Sequence, residues 1–201
     1  MAHSIELLFD DDTDAALCRT WDGLTEAGVP SQNRVSSPTN RPHVTMVVAN
    51  HLDPAVDAEL TSLADRLPLP CLVGAPLVFG PPPKLTNGRE SSTSSKYFVD
   101  RGEPGGRGHL TLAHLIVPSA ELLAFHHRVY DICVPHMSPG PAPHSSPGNW
   151  TAHATLGRRL NSAHLSTAFA AVPALTGTHR GSFTALRRWD GDARVEHVLL
   201  S

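Results

Sequence analysis

The sequence has little that could cross-link the chain or anchor it in a membrane. Its three cysteines, Cys18, Cys71 and Cys133, are odd in number and far apart, so they form neither a disulfide framework nor a C-x-x-C metal or redox motif. Each lies in an apolar stretch and is expected to be a small buried side chain. No basic segment followed by an apolar one begins the chain, and no apolar run reaches the roughly 18 residues of a membrane span. We therefore expect a cytoplasmic protein that does not contact a membrane.

An excess of charge of either sign is also missing. The 201 residues include 16 Lys and Arg against 19 Asp and Glu, which gives a formal net charge of −3. This balance argues against long, non-specific nucleic-acid binding, which depends on many phosphate contacts. It is compatible with a small substrate, or with a nucleic-acid end that a few arginines hold. A chain of this length can bury a substantial core.

The elements that are present follow one order twice along the chain. Strands are predicted over 4–9, 43–50, 71–79, 109–117, 150–157, 177–189 and 194–200, and helices over 13–27, 54–66, 120–133 and 162–172, from apolar periodicity and from turn and capping residues. Residues 81–108 are rich in Pro, Gly and Ser and are predicted to be a flexible connection. We therefore expect a single domain, 1–201, with lobe-forming halves of approximately 1–80 and 109–201.

Two matching strings, His43-Val44-Thr45 and His153-Ala154-Thr155, occupy corresponding strands of the two halves. Residues i and i+2 of a strand share a face, so each threonine hydroxyl points the same way as its histidine. Two imidazoles that titrate near neutral pH can act as a general base and a general acid, and two hydroxyls suit a tetrahedral anion such as phosphate. A third string begins at His109 in a different slot. We treat it as a chance match, because about one is expected by chance.

The segments that contain the two strings resemble the paired motifs of the two-histidine phosphoesterase superfamily. They read Pro42-His43-Val44-Thr45-Met46 and Trp150-Thr151-Ala152-His153-Ala154-Thr155-Leu156-Gly157, and they are most similar to the 2′-5′ RNA ligase and RNA 2′,3′-cyclic phosphodiesterase-like proteins. The resemblance implies an α+β fold with two pseudo-twofold-related lobes, each an antiparallel sheet with flanking helices, around a central cleft. It also implies a phosphodiesterase that needs no metal or other cofactor and hydrolyses a 2′,3′-cyclic phosphate or a 2′-5′-linked nucleotide, with RNA ligation as the reverse reaction.

The candidate site residues follow from the two motifs and their neighbours. We expect His43 and His153 to be catalytic, in roles that the sequence leaves open, and Thr45 and Thr155 to bind the phosphate. Further candidates are Arg41 and Thr151 for the phosphate, if their strands begin early enough, and Trp150 and Tyr97 for stacking on a base. The alternatives are a solvated loop charge for Arg41, a plain strand residue for Thr151 and a core residue for Trp150. Arg158 and Arg159 are expected to be a solvated pair.

Two other functions compete with the phosphodiesterase. One is a catalytically idle RNA- or nucleotide-binding module, although binding alone would tolerate loss of the histidines and threonines that are intact here. The other is a metal-dependent hydrolase that uses the remaining histidines, yet no H-E-x-x-H string or Cys/His ligand spacing appears among them. We expect a nucleotide or an RNA end as substrate, no metal, no obligatory protein partner and a monomer.

Overall fold

A computed structural model of the chain describes residues 2–80 and 109–201. Tyr97 and the connection predicted over 81–108 lie outside the described residues. The described helices are α1 (Asp11–Glu26), α2 (Val56–Leu60), α3 (Ala120–Cys133) and α4 (Ser162–Ala171). The described strands are β1 (His3–Phe9), β2 (His43–Leu52), β3 (Leu69–Phe79), β4 (Leu110–Ile116), β5 (Met137–Pro141), β6 (His153–Leu160), β7 (His179–Asp190) and β8 (Val195–Leu200).

The expected fold class is confirmed: the protein is α+β, with eight described strands in antiparallel pairings and helices that flank them. In the first lobe, β5, β2, β1, the second part of β7 and β8 lie side by side in that order. In the second lobe, the order is β6, β4, β3 and the first part of β7. Phe183 is where β7 passes from one lobe to the other, because it pairs with both Leu69 and Phe9. Strand β7 therefore joins the two lobes.

The strand pairings cross the division of the chain into two halves. Strand β3 belongs to residues 1–80 but pairs with β4, whereas β5 and β8 belong to residues 109–201 but complete the lobe that contains β1 and β2. Alternation of polar and apolar residues determines which face of a strand is buried, but it does not specify which neighbour the strand pairs with. Each lobe consequently contains strands from both halves.

The core lies beneath the two motif strands, where the alternation predicts it. Val44, Met46, Ala154 and Leu156 are at most 1% exposed. The histidine and threonine of each motif are partly exposed and lie on the opposite face. The two segments 41–47 and 151–157 repeat the same sequence of exposed, partly exposed and buried residues, so the pseudo-twofold relation extends to individual positions of the motifs.

Helices α1 and α3 begin where the capping residues indicate. The Asp10 carboxylate accepts a hydrogen bond from the Thr13 amide at the start of α1, and the Ser119 hydroxyl accepts one from the Leu122 amide at the start of α3. These contacts satisfy amide groups that have no partner within the helix.

Among the described residues, no helix has both the length and the apolar character needed to cross a bilayer.

The helix predicted over 54–66 is wrong in its second half, where a 3-10 helix replaces the α-helix from Thr61 onward. The hydroxyls of Thr61 and Ser62 donate hydrogen bonds to the carbonyls of Ala58 and Glu59. Such local bonds compete with the regular helical pattern, and the apolar spacing does not reveal them.

Strand β5 lies between the helix predicted over 120–133 and the strand predicted over 150–157, where the Pro-, Gly- and Ser-rich sequence 135–148 predicts a loop. It pairs with one edge of β2, where Met137 lies opposite Leu52. Its two prolines, Pro139 and Pro141, favoured the loop prediction because proline has no amide hydrogen to donate. An edge strand tolerates this loss on its outer side, so prolines that would exclude a central strand are compatible with β5.

Candidate active site

The two motif strands meet at the junction of the lobes. Strands β2 and β6 pair in antiparallel orientation at Val44 and Ala154. If this register is continued by one residue on either side, His43 lies opposite Thr155 and Thr45 lies opposite His153. The four side chains then share the face that turns away from the buried pair. The motif residues of the two lobes are thus brought together as one diagonal arrangement of two imidazoles and two hydroxyls.

The same hydrogen bond orients both imidazoles. Nδ1 of His43 lies 2.8 Å from the carbonyl oxygen of Arg41, and Nδ1 of His153 lies 2.7 Å from that of Thr151. A carbonyl oxygen can only accept, so each Nδ1–H donates and Nε2 is left to exchange a proton. Matching tautomers at both sites mean that either ring can serve as a base when neutral and as an acid when charged.

Arg41 and Thr151 precede β2 and β6 instead of lying within them. Their main-chain carbonyl oxygens accept the hydrogen bonds from His43 and His153. The sequence analysis did not predict this role for the two carbonyls. The guanidinium of Arg41 is directed to Glu196, at 3.9 Å. The proposed phosphate contacts of both side chains stay predictions.

Two indole side chains donate hydrogen bonds to the backbone of the motif strands. Nε1 of Trp150 donates to the carbonyl of Thr45 at 2.9 Å, and Nε1 of Trp21 donates to the carbonyl of Thr155 at 3.1 Å. The ring of Trp150 also stacks on buried His126, with centroids 4.0 Å apart. One face of the indole is therefore already covered, which leaves only the other face for a nucleotide base.

The surroundings of the two histidines differ in charge. Oε1 of Glu6 lies 3.7 Å from Nε2 of His43, and Glu6 pairs across the strands with Thr45 of the first motif. The corresponding neighbour of Thr155 on β4 is Ala113. A carboxylate therefore accompanies the first motif, and an apolar side chain takes its place beside the second.

Glu6 is held as a carboxylate. Its Oε2 accepts hydrogen bonds from Nε and Nη2 of Arg187 at 2.8 and 2.7 Å, and its Oε1 accepts one from the Ser4 hydroxyl at 2.6 Å. Burial alone would raise the pKa of Glu6, but the charges of His43 and Arg187 and these hydrogen bonds outweigh it and hold the pKa below its ordinary value. Glu6 is consequently a fixed negative charge next to His43.

His153 lies in a drier environment. The Phe79 ring packs against its imidazole, with centroids 4.7 Å apart. Burial lowers the pKa of His153 below its ordinary value, the charges of Arg158 and His43 act in the same direction, and the hydrogen bond to Thr151 opposes them. His153 is therefore neutral at neutral pH, with the lone pair of Nε2 available.

A pocket of about 890 Å³ opens beside His43, with Glu6 and Arg187 in its wall. Arg158 and Arg159 are exposed, as expected, but both line this pocket. The sequence analysis missed Glu6 and Arg187 as site residues. An acidic residue inside the apolar strand β1 was the available signal for Glu6, whereas nothing in the local sequence of Arg187 distinguishes it from Arg188.

Of the other histidines, His164 lines the pocket beside His43, whereas His109 and His114 do not. His109 is exposed and precedes β4, and His114 is buried with Nδ1 3.0 Å from the carbonyl of Gly74, as expected for a core histidine. Within residues 2–80 and 109–201, no group of three or more His, Cys, Asp or Glu side chains is arranged to hold a metal ion.

No protein-family model matches the sequence, and no curated protein matches it at a significant level. The fold is similar to that of Usb1 from Kluyveromyces marxianus, with a TM-score of 0.50, 11% sequence identity, and coverage of 98% of this chain and 97% of that one. A second structure of Usb1, with uridine monophosphate, gives a TM-score of 0.49 and 13% identity over 98% and 96% of the chains. At such identities the likeness shows the fold alone.

Proposed function

We propose that this protein is a metal-independent phosphodiesterase of the two-histidine phosphoesterase superfamily. Its substrate in this proposal is a 2′,3′-cyclic phosphate or a 2′-5′-linked nucleotide. The observation that carries the proposal is the equivalent orientation of His43 and His153, each with Nδ1 bound to the carbonyl two residues earlier, which leaves Nε2 to exchange a proton. Paired groups of this kind can take up one proton and release another in a single displacement at phosphorus.

The proposed roles of the two histidines in this reaction rest on their different surroundings. His153 is neutral because burial lowers its pKa, so its Nε2 accepts the proton of the attacking water as the P–O bond forms. The Glu6 carboxylate lies 3.7 Å from Nε2 of His43. In this proposal His43 takes the remaining role and donates its Nε2 proton to the ribose oxygen as the P–O bond to that oxygen breaks.

The threonine hydroxyls stabilise the charge that builds up on phosphorus. When the pairing of Val44 with Ala154 is continued by one residue on either side, Thr45 lies opposite His153 and Thr155 lies opposite His43, so each hydroxyl adjoins the imidazole of the other motif. Hydroxyl donors fixed at such positions bind the non-bridging oxygens more strongly as their negative charge grows. The backbone at both threonines is anchored by Trp150 and Trp21.

The proposal predicts hydrolysis that does not depend on a metal. Purified protein is incubated with adenosine 2′,3′-cyclic phosphate and with 2′-5′-linked oligoadenylate, with and without EDTA, and the phosphate products are followed by chromatography. We expect turnover of at least one substrate at a rate that EDTA leaves unchanged. Binding without turnover would favour the idle nucleotide-binding module, and loss of turnover in EDTA would favour a metal-dependent hydrolase.

The pH dependence tests the role of His153. Since the base must be neutral, activity falls as the pH drops through the pKa of His153, which burial keeps below its ordinary value. Phe79→Ala admits water to the imidazole and removes part of that burial, so the acid limb of the kcat/KM profile is expected to move to higher pH. Arg158, His43 and His144 also act on His153 and are unchanged in the variant.

Phe169→Ala is the matched control for this experiment, because Phe169 is an exposed phenylalanine on α4. Its acid limb is expected to coincide with that of the unmodified protein. An acid limb that Phe79→Ala leaves in place, or moves to lower pH, would contradict the assignment of His153 as the base.

A further inference from the structure

The pocket beside His43 is larger and more positive than the hydrolysis of one phosphate ester requires. Its volume is about 890 Å³, near the upper end of the range for small-molecule sites. Arg34, Arg158 and Arg159 line it, and Glu6 is the one carboxylate among the described residues of its wall. Because Arg187 already pairs with Glu6, the charge of these three arginines is left uncompensated.

Within the described part of the chain, no hydrogen bond or ion pair involves the guanidinium groups of Arg34, Arg158 or Arg159. The two buried arginines of the described residues do have partners: Arg187 binds Glu6 and Glu196, and Arg188 binds Asp57. Guanidinium groups that converge on a pocket without a carboxylate partner are suited to a phosphate, which they bind through paired N–H donors.

The backbone is distorted where it presents two of these arginines. On β6, Leu160 pairs with Leu110 and Gly157 pairs with Leu112, so two residues, Arg158 and Arg159, lie opposite one residue of β4. This is a β-bulge, and Arg159 in it has φ of 60°, a left-handed conformation that is rare for a residue with a side chain. In a regular strand the two side chains would point to opposite faces, whereas here both line the same pocket.

Arg34, the third arginine of the pocket, lies in a turn that hydrogen bonds hold in place. Arg34 ends a short 3-10 helix whose first residue follows Ser31, and the Ser31 hydroxyl caps it by accepting from the Asn33 amide. The Asn40 amide group donates to the carbonyl of Gln32 and closes the turn. The turn also lies close to β6, because a Cβ added to Gly157 would be 2.3 Å from the carbonyl oxygen of Pro30.

We propose that this pocket binds a second phosphate of the substrate, the one next to the phosphate that reacts between His43 and His153. The enzyme then prefers a nucleotide chain with at least two phosphates to a single nucleoside cyclic phosphate. This inference rests on the proposed phosphodiesterase function. It follows from the continuity of the pocket with His43, from its size and from the three arginines of its wall, which have no ion-pair partner among the described residues.

The preference is tested with two substrates that differ by one nucleotide. The kcat/KM values of adenosine 2′,3′-cyclic phosphate and of the dinucleotide ApA with a terminal 2′,3′-cyclic phosphate are compared at fixed salt. We expect the unmodified protein to favour the dinucleotide by roughly tenfold or more. Arg34→Gln and Arg159→Gln are each expected to reduce that ratio several-fold, mainly through KM. Arg158 is left out of this comparison because its charge also acts on His153.

Arg128→Gln is the matched control, since Arg128 is an exposed arginine on α3 that does not line the pocket. It is expected to retain the full ratio. If the two pocket variants lower kcat/KM equally for both substrates, or leave the ratio unchanged, the second-phosphate site is refuted even though hydrolysis continues.

Direct binding separates this proposal from the proposed function. The affinities of adenosine 3′-monophosphate and of ApA with a 3′-phosphate are measured by calorimetry with the unmodified protein, Arg34→Gln and Arg159→Gln. A preference for the dinucleotide that both variants lose supports the site even if the protein hydrolyses neither substrate. Equal affinity for both ligands in the unmodified protein refutes it.

Discussion

Replacing either His43 or His153 with alanine is expected to lower kcat for a 2′,3′-cyclic phosphate by about 10²-fold or more. Each variant removes the imidazole whose Nε2 carries out one of the two proton transfers. Because the two groups act in one displacement, the double variant should be little worse than the more damaged single variant. Steady-state rates on matched protein concentrations measure all three.

The matched control for these variants is His109→Ala. His109 begins the third His-x-Thr string, but it is exposed and precedes β4, so its removal should change the rate less than twofold. Circular dichroism and thermal melting establish that each variant is folded before its rate is compared. A large loss in His109→Ala with little loss in His153→Ala would show that the wrong pair of strings was assigned to the site.

The pH dependence of the rate is a second, independent test of the roles proposed for His43 and His153. A base that must be neutral and an acid that must be charged produce a bell-shaped dependence, whose limbs belong to the coupled pair and not to either residue alone. In His153→Ala the acid limb should disappear from the residual activity. A residual rate of His153→Ala that keeps the acid limb would contradict the proposed role of His153 as the base.

Much of the local structure could be predicted because it depends on neighbouring residues. Apolar alternation predicted that Val44 and Ala154 are buried beneath the motif faces, and both are at most 1% exposed. Asp10 begins α1 by a bond between residues three apart in the chain. Contacts of this kind are visible in a short window of sequence.

The pairing of distant strands could not be predicted in this way. Arg187 follows Glu6 by 181 residues, and the two meet only because β7 returns to pair with β1. The bulge that turns Arg158 and Arg159 into one pocket depends in the same way on how β6 pairs with β4. The asymmetry between the two histidines, on which their proposed roles rest, therefore required the fold.

Replacing Arg187 with methionine is expected to destabilise the protein by about 3–5 kcal/mol. The guanidinium is buried, at 3% exposure, and it donates to Glu6, to Glu196 and to the carbonyl of Thr39. Methionine keeps much of the apolar stem but leaves the buried Glu6 carboxylate without its main cation. The free energy of unfolding from urea titration measures the loss.

Arg66→Met serves as the control, because Arg66 is exposed and pairs only at 3.9 Å with its neighbour Asp65, so the change should be within about 0.5 kcal/mol. Adding Glu6→Gln to Arg187→Met then tests the cause. If the cost comes from the uncompensated carboxylate, removing its charge should make the double variant less destabilised than the sum of the singles by about 1 kcal/mol or more. Strict additivity would instead trace the loss to packing of the arginine stem and would remove the reason for treating Glu6 as a charge that Arg187 holds in place beside His43.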